Sequence, residues 1–300
     1  MKYIYYIVLT ALLFVNSAIF AQQESAFILY RSNMNIVNPA YVGVDNETIV
    51  TTSLRTQWSS IPEAPETITA SFGTPLGKNV GIGISVVNDK TFVENQTVFG
   101  IDFSYHLKMD EATDLYLGIK AGGNFYDVNT TGLETYNIVE DPALGSISSF
   151  NPNVGAGALL KHNKWYASLS VPKLLSTTRA RNEAGYAITD FDRPHVYLSG
   201  GYEFDLDPNP DPAYHIIFKP SIMARYVKGA PLSIDLNLML ELSTNFEVGV
   251  MYRIDKAYAA MTTFNINKNI KIGFAHEVST SPTLLGIAGY TNEFLLQYKL

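Results

Sequence analysis

The stretch SIDLNLMLELSTNFEVGVMYR, Ser233 to Arg253, holds two runs of strict alternation on either side of a Ser243-Thr244 pair. In the first run Ile234, Leu236, Leu238, Leu240 and Leu242 share one face, and Ser233, Asp235, Asn237, Met239 and Glu241 share the other. In the second, Phe246, Val248, Val250 and Tyr252 alternate with Asn245, Glu247, Gly249, Met251 and Arg253. A helical period would scatter both sets around its circumference, so only strands separate them. Two strands joined by two residues form an antiparallel hairpin.

The same period extends outward in both directions. Thr97 to Leu107 sets Phe99, Ile101, Phe103, Tyr105 and Leu107 opposite Asp102, Ser104 and His106. Asp114 to Phe125 sets Leu115, Leu117, Ile119 and Phe125 opposite Tyr116, Lys120 and Asn124, and Phe294, Leu296, Tyr298 and Leu300 alternate with Glu293, Leu295, Gln297 and Lys299. Fourteen segments read as strands: 47–57, 66–73, 80–88, 97–106, 114–125, 152–161, 164–171, 195–204, 214–226, 233–242, 245–253, 257–265, 270–277 and 291–299. The chain is all-β. Pro220 removes a ladder donor inside the ninth segment, and a bulge is expected there.

Alternation alone also fits a soluble sandwich. Strand length and loop length separate the two folds. Most segments run about 8 to 12 residues, near the roughly 9 to 11 that a tilted strand needs to cross a bilayer. Connections after even-numbered segments are short: 74–79, 107–113, His162-Asn163, 205–213, Ser243-Thr244 and 266–269. Those after odd-numbered segments include Tyr126 to Asn151, Pro172 to Pro194 and Val278 to Tyr290. Short periplasmic turns and long extracellular loops are the mark of an outer-membrane barrel whose ends are both periplasmic. The expected fold is a transmembrane antiparallel β-barrel of about 14 strands. Only a closed barrel lets strands cross a bilayer with every backbone polar group paired.

Export is written at the start of the chain. Lys2, the apolar run Tyr3 to Val15 and Ala18-Ile19-Phe20-Ala21 ahead of Gln22 have the charged, apolar and small-residue regions of a secretory signal peptide, 1–21. Asn16-Ser17 interrupts the run before it reaches the roughly 20 apolar residues of a membrane helix. Residues 22–46 are then an N-terminal periplasmic or lumen segment, and 47–300 the barrel. The chain has no cysteine, which excludes disulfides, thiolate metal sites and a lipid-bearing cysteine. Losing Lys2 leaves 20 of 21 basic residues against 28 acidic ones, a net charge of −8 that argues against nucleic acid.

Asn38-Pro39-Ala40-Tyr41-Val42-Gly43, Arg55-Thr56-Gln57-Trp58 and Pro62-Glu63-Ala64-Pro65-Glu66-Thr67 resemble the opening of the PorP/SprF family of Bacteroidetes outer-membrane proteins. Shorter matches follow at Asn88-Asp89-Lys90, Val171-Pro172-Lys173-Leu174-Leu175, Pro194-His195-Val196-Tyr197 and Phe246-Glu247-Val248-Gly249. The motif positions are Asn38, Pro39, Ala40, Tyr41, Gly43, Arg55, Gln57, Trp58 and Pro65. Glu63 stands where the family usually has Gly, and Arg31 where it has Met. The resemblance implies a barrel of the type IX secretion system and gliding motility. It would assist export and surface anchoring of large adhesins that carry a C-terminal secretion signal, alongside periplasmic or outer-membrane secretion components. The alternative is a passive channel or small-molecule transporter.

Charges on the polar faces should point into the lumen, because on the lipid side a mid-membrane Lys or Arg costs about 2 to 4 kcal/mol. These are Asp114, Lys120, Asp235, Glu241, Glu247, Arg253, Lys271, Glu293 and Lys299. Tyr30, Tyr41, Trp58, Tyr105, Tyr116, Trp165, Tyr202, Tyr226, Tyr252 and Tyr298 are expected in interfacial girdles. In the first strand Val50, Thr52, Leu54, Thr56 and Trp58 share a face, which makes Trp58 a rim anchor and Arg55 a lumen residue. His106, His162, His195, His215 and His276 show no metal-ligand spacing, so no catalytic, cofactor or metal site is expected. Asp205, Asp207 and Asp211 offer oxygen ligands of the kind calcium takes, but three prolines hold them apart in a stiff acidic turn.

Overall fold

The structure is a computed structural model that describes residues 26–59, 61, 63–130, 147–178, 191–206, 216–254, 257–280 and 289–300. The signal segment, Pro62, Asp141 to Gly145, Asp207, Asp211 and His215 lie outside the described residues. Fourteen strands form the wall. The first seven are β1 (Ile49–Gln57), β2 (Glu66–Pro75), β3 (Val80–Thr91), β4 (Glu94–Lys108), β5 (Thr113–Val128), β6 (Ile147–His162) and β7 (Trp165–Val171). The others are β8 (His195–Tyr202), β9 (Ile217–Val227), β10 (Ser233–Ser243), β11 (Phe246–Arg253), β12 (Ala257–Asn265), β13 (Ile270–Ser279) and β14 (Tyr290–Lys299).

Each strand pairs antiparallel with the one before and the one after it, and β14 closes the ring on β1 from Ile49↔Lys299 to Gln57↔Thr291. Closure removes every sheet edge, so the ladders satisfy the backbone without water. Leu300 N–H donates to the Thr48 carbonyl at 2.9 Å, which ties both ends of the wall together at the end carrying the short turns. That end is called the turn end below, and the opposite one the loop end.

Burial is inverted relative to a soluble sandwich. Ile101 is 55% exposed while its neighbour Asp102 is fully buried; Leu238 is 47% exposed beside Asn237 at 1%. The apolar faces therefore form the outer wall and the polar faces the interior, an arrangement stable only where the outer medium is hydrocarbon.

Three local expectations need correction. Pro220 sits in unbroken register opposite Leu238, without a bulge in β10. The ladder gives way on its other side, where β8–β9 pairing ends at Gly201↔Ser221 and resumes at Phe204↔Phe218, so the missing donor falls at that interruption. The β5–β6 hairpin continues to Val128↔Ile147, well into the segment expected as loop. Its 16-residue strands, at roughly 3.3 Å per residue, outrun a bilayer crossing. Trp58 lies past the end of β1 with φ of 55°, so period two no longer sets its direction. Its N–H donates to Tyr290 O at 2.8 Å.

In the β4–β5 turn the Asp110 carboxylate accepts the Ala112 N–H at 2.8 Å. This bond favours the charged form and holds Asp110 below the usual aspartate range. Because the folded value is depressed, its contribution is present above the unfolded pKa and is lost as pH falls through the folded one. A carboxyl NMR titration should show Asp110 titrating below the ordinary aspartate value, with the Ala112 amide shifting in step; a midpoint at or above that value would contradict the bond.

Candidate functional site: a lumen filled by the N-terminal segment

Residues 26–46 run inside the barrel as four three-residue 3-10 turns, Tyr30–Ser32, Met34–Ile36, Pro39–Tyr41 and Val44–Asn46. Asn38 is extended at φ −143° and ψ 109°, as the residue ahead of a proline favours, and its side chain accepts the Ala40 N–H at 2.9 Å. Its amide also donates to Ala158 O at 3.2 Å. Gly43 takes the left-handed φ of 72°, and a side chain there would meet Gly81 and Pro75.

The wall has been cut back to admit this segment. A Cβ at Gly118 would strike the main chain of Pro39 and Ala40, one at Gly157 the Asn38 side chain, and one at Gly81 the Val42 carbonyl. Ala40, fully buried, packs on Tyr116 and Leu159 in this cradle.

Polar wall groups hold the rest. Glu293 accepts the N–H groups of Ile28 at 2.6 Å and Leu29 at 3.3 Å. Gln297 donates to Ser32 O at 3.0 Å, Lys120 to Asn35 O at 3.3 Å, and Ser170 to Val37 O at 2.7 Å. Tyr30 meets Ser221 at 3.1 Å, while Asn33 bonds Thr69 at 3.0 Å and Ser71 at 2.9 Å.

Wall charges gather into three groups. Towards the loop end, Asp235 takes the Arg253 Nε at 2.8 Å and Arg225 at 3.0 Å, and Arg253 also reaches Glu277 at 2.7 Å. Towards the turn end, Lys219 pairs with Glu241 and Glu247, and Lys271 meets Glu247 at 3.0 Å. On the opposite wall, Lys120 and Asp102 lie 3.0 Å apart. Each carboxylate lies against at least one cation, and Asp102 and Glu247 also accept from Ser85 and Thr263, pairing of the kind that lets charge be buried.

Asp114 and Lys299 sit apart from these groups, half-exposed at the turn end, paired with His106 at 2.6 Å and Glu47 at 2.7 Å. Arg55 lies on the inner wall opposite Glu293 in the β1–β14 register, its guanidinium 2.9 Å from Gln57. Gln57 N–H donates to Pro65 O at 2.9 Å. The motif residues thus divide between the segment in the lumen (Asn38 to Gly43) and the loop-end rim of β1.

Sequence reasoning missed Asp102, Lys219, Arg225 and Glu277 as members of these groups. Carrying the alternation through Pro220 would have put Lys219, Ser221, Met223 and Arg225 on one face. The girdle reading is wrong for Tyr30, Tyr41 and Tyr116, which lie inside the barrel. Tyr105, Tyr202 and Tyr298 are exposed near the turn end, and Tyr226 near the loop end.

His106 stacks on Tyr116, His162 contacts Thr113 at 3.0 Å, and His276 contacts Asn292 at 2.8 Å. His195 is buried on the inner wall. Among the described residues no three His, Cys, Asp or Glu side chains converge as metal ligands would.

A closed fourteen-stranded ring with a lipid-facing apolar exterior, its interior occupied by the chain's own N-terminal segment, is an outer-membrane β-barrel. The chain belongs to the PorP/SprF family of type IX secretion system membrane proteins, whose sequence model matches residues 19–298. The outer membrane protein Omp33 of Acinetobacter baumannii is 10% identical, with a TM-score of 0.51 over 86% of this chain and 100% of that one. A Pseudomonas aeruginosa FadL homologue is 10% identical with a TM-score of 0.49, over 87% and 92% of the two chains. Outer membrane phospholipase A from Escherichia coli is 11% identical, with a TM-score of 0.37 over 95% and 96%. At such identity Omp33 supports the fold alone. No match is found among the curated proteins.

Proposed function

We propose that this barrel assists the secretion and surface anchoring of large adhesins by the type IX system, as a docking component rather than a pore. One observation carries the reading: the segment 26–46 is hydrogen-bonded to seven of the fourteen strands, β2, β4, β5, β6, β7, β9 and β14. A wall that spends this many polar groups on its own chain is built to stay filled, which sets the docking role above the passive channel or small-molecule transporter. The chain reaches the outer membrane after cleavage behind Ala21. Its partners are an adhesin with a C-terminal secretion signal and the periplasmic or outer-membrane secretion components. Recognition falls to the two long loop-end connections, the first expected at 126–151 and now confined to 129–146 by the β5–β6 hairpin, the second at 172–194, since loops on a rigid scaffold commonly carry binding.

Deleting the gene should leave the adhesin trapped in the cell or released to the medium, read by immunolabelling of intact cells and blotting of the culture fluid. Normal surface adhesin in the deletion strain would remove this function.

A further inference from the structure

The two halves of the lumen segment are held by different means. Asn38 to Val42 lie in the glycine cradle, where the fit is to one backbone shape. Ile28 to Ser32 are held through main chain and side chains together: Glu293 takes two successive N–H groups and Gln297 donates to a carbonyl, while Tyr30 meets Ser221 and Arg31 donates to Lys219 O at 3.2 Å. Main-chain bonds of this kind do not depend on which residues the held segment carries.

The side chains of Ile28 and Leu29 enter a pocket that includes Met239, Met251 and Met261, with Ala259 and Ala275. Methionine is unbranched and polarisable and repacks around varied apolar shapes, which makes it common at surfaces with changing ligands. A cleft runs beside this stretch, bordered by Arg31, Ser32, Lys219, Asn237 and Lys271, so Ile28–Ser32 have space on one flank into which to move. Asn237 borders this cleft and is 1% exposed, and its buried Oδ1 has no donor among the described residues.

We propose that the wall around Glu293 and the three methionines is a binding site for a polypeptide segment that bends into a turn, as Ile28–Ser32 does, and carries two adjacent aliphatic residues, and that Ile28-Leu29 is its displaceable resident. A segment arriving from another polypeptide would take the same carboxylate with its own N–H groups, while the cradle keeps Asn38 to Val42 in place. Choosing a polypeptide as the ligand rests on the secretion role proposed above.

A free ligand must compete with an intramolecular one whose effective concentration is on the order of millimolar. Full-length Leu29→Asp protein relieves this competition, because a carboxylate beside Glu293 expels the resident segment and leaves the wall unaltered. The probe is the fluorescein-labelled peptide Ala-Phe-Ile-Leu-Tyr-Arg-Ser-Asn, the sequence of residues 26–33, followed by anisotropy in detergent. Heat-dependent gel mobility checks that the barrel is closed.

Binding to Leu29→Asp should be at least about tenfold tighter than to the unaltered chain, and should be lost when Glu293→Ala is added or when Asp-Asp replaces Ile-Leu in the peptide. Equal binding to both proteins, or binding indifferent to Glu293→Ala, would overturn the proposal. Should Leu29→Asp not fold, a nitroxide on Ser32→Cys in the otherwise unaltered chain should gain mobility with millimolar peptide; an unchanged spectrum would overturn it. The readout contains no adhesin, so its failure leaves the deletion experiment standing, and the reverse also holds.

Discussion

Asp235→Ala should lower the unfolding free energy by about 3–5 kcal/mol, the usual result of stripping one partner from a buried charge group. Asp235 is 1% exposed and takes hydrogen bonds from two guanidinium groups, Arg253 at 2.8 Å and Arg225 at 3.0 Å. With the carboxylate gone, Arg253 retains Glu277, but among the described contacts Arg225 keeps only the Ser233 hydroxyl at 3.2 Å. Asp114→Ala is the matched control. Asp114 is also an acid in a pair, with His106 at 2.6 Å, but it is about a third exposed, and such a pair contributes roughly 0–1 kcal/mol. Urea unfolding in lipid vesicles, followed by tryptophan fluorescence, would measure both. Equal losses would mean that the interior is as wet at Asp235 as at the rim.

Gly118→Val should release the cradle without harming the wall. Valine suits a strand better than glycine, so β5 gains locally. The new side chain nonetheless projects into the main chain of Pro39 and Ala40, atoms that have no rotamer with which to yield. Overpacking of this kind costs about 1–3 kcal/mol, and here the lumen segment bears it. Amide exchange over residues 36–42, read by mass spectrometry, should accelerate by roughly 10- to 100-fold while β5 and β6 keep their protection. Exchange unchanged in 36–42, or raised equally across the barrel, would contradict the cradle.

How far the chain could be read in advance differs between wall and contents. The wall is legible because its determinant is local: period two in Ser233 to Arg253, a two-residue turn, and loop lengths that sort by parity. Which face looks outward is not a local property, since a sandwich alternates identically, and loop asymmetry had to supply it. The contents are harder for a physical reason. Residues 26–46 make only three-residue turns, too short for any period, and their shape comes from glycines at 81, 118 and 157 far along the chain. Lys219 and Arg225 escaped notice because the bulge expected at Pro220 interrupted the alternation at the point where the inner face should have been counted. Tyr30 and Tyr41 show the converse error: a tyrosine near a strand end fits a girdle, but these two precede the first strand and are carried inward by the segment that bears them.

The central claim is that the chain fills its own barrel, and steady conductance tests it most directly. Full-length protein inserted into a planar bilayer should give no stable open-channel current, because residues 26–46 and the paired charges of β9 to β13 occupy the lumen. Large, persistent current steps from the unaltered chain would contradict the account and return the passive channel as the better reading.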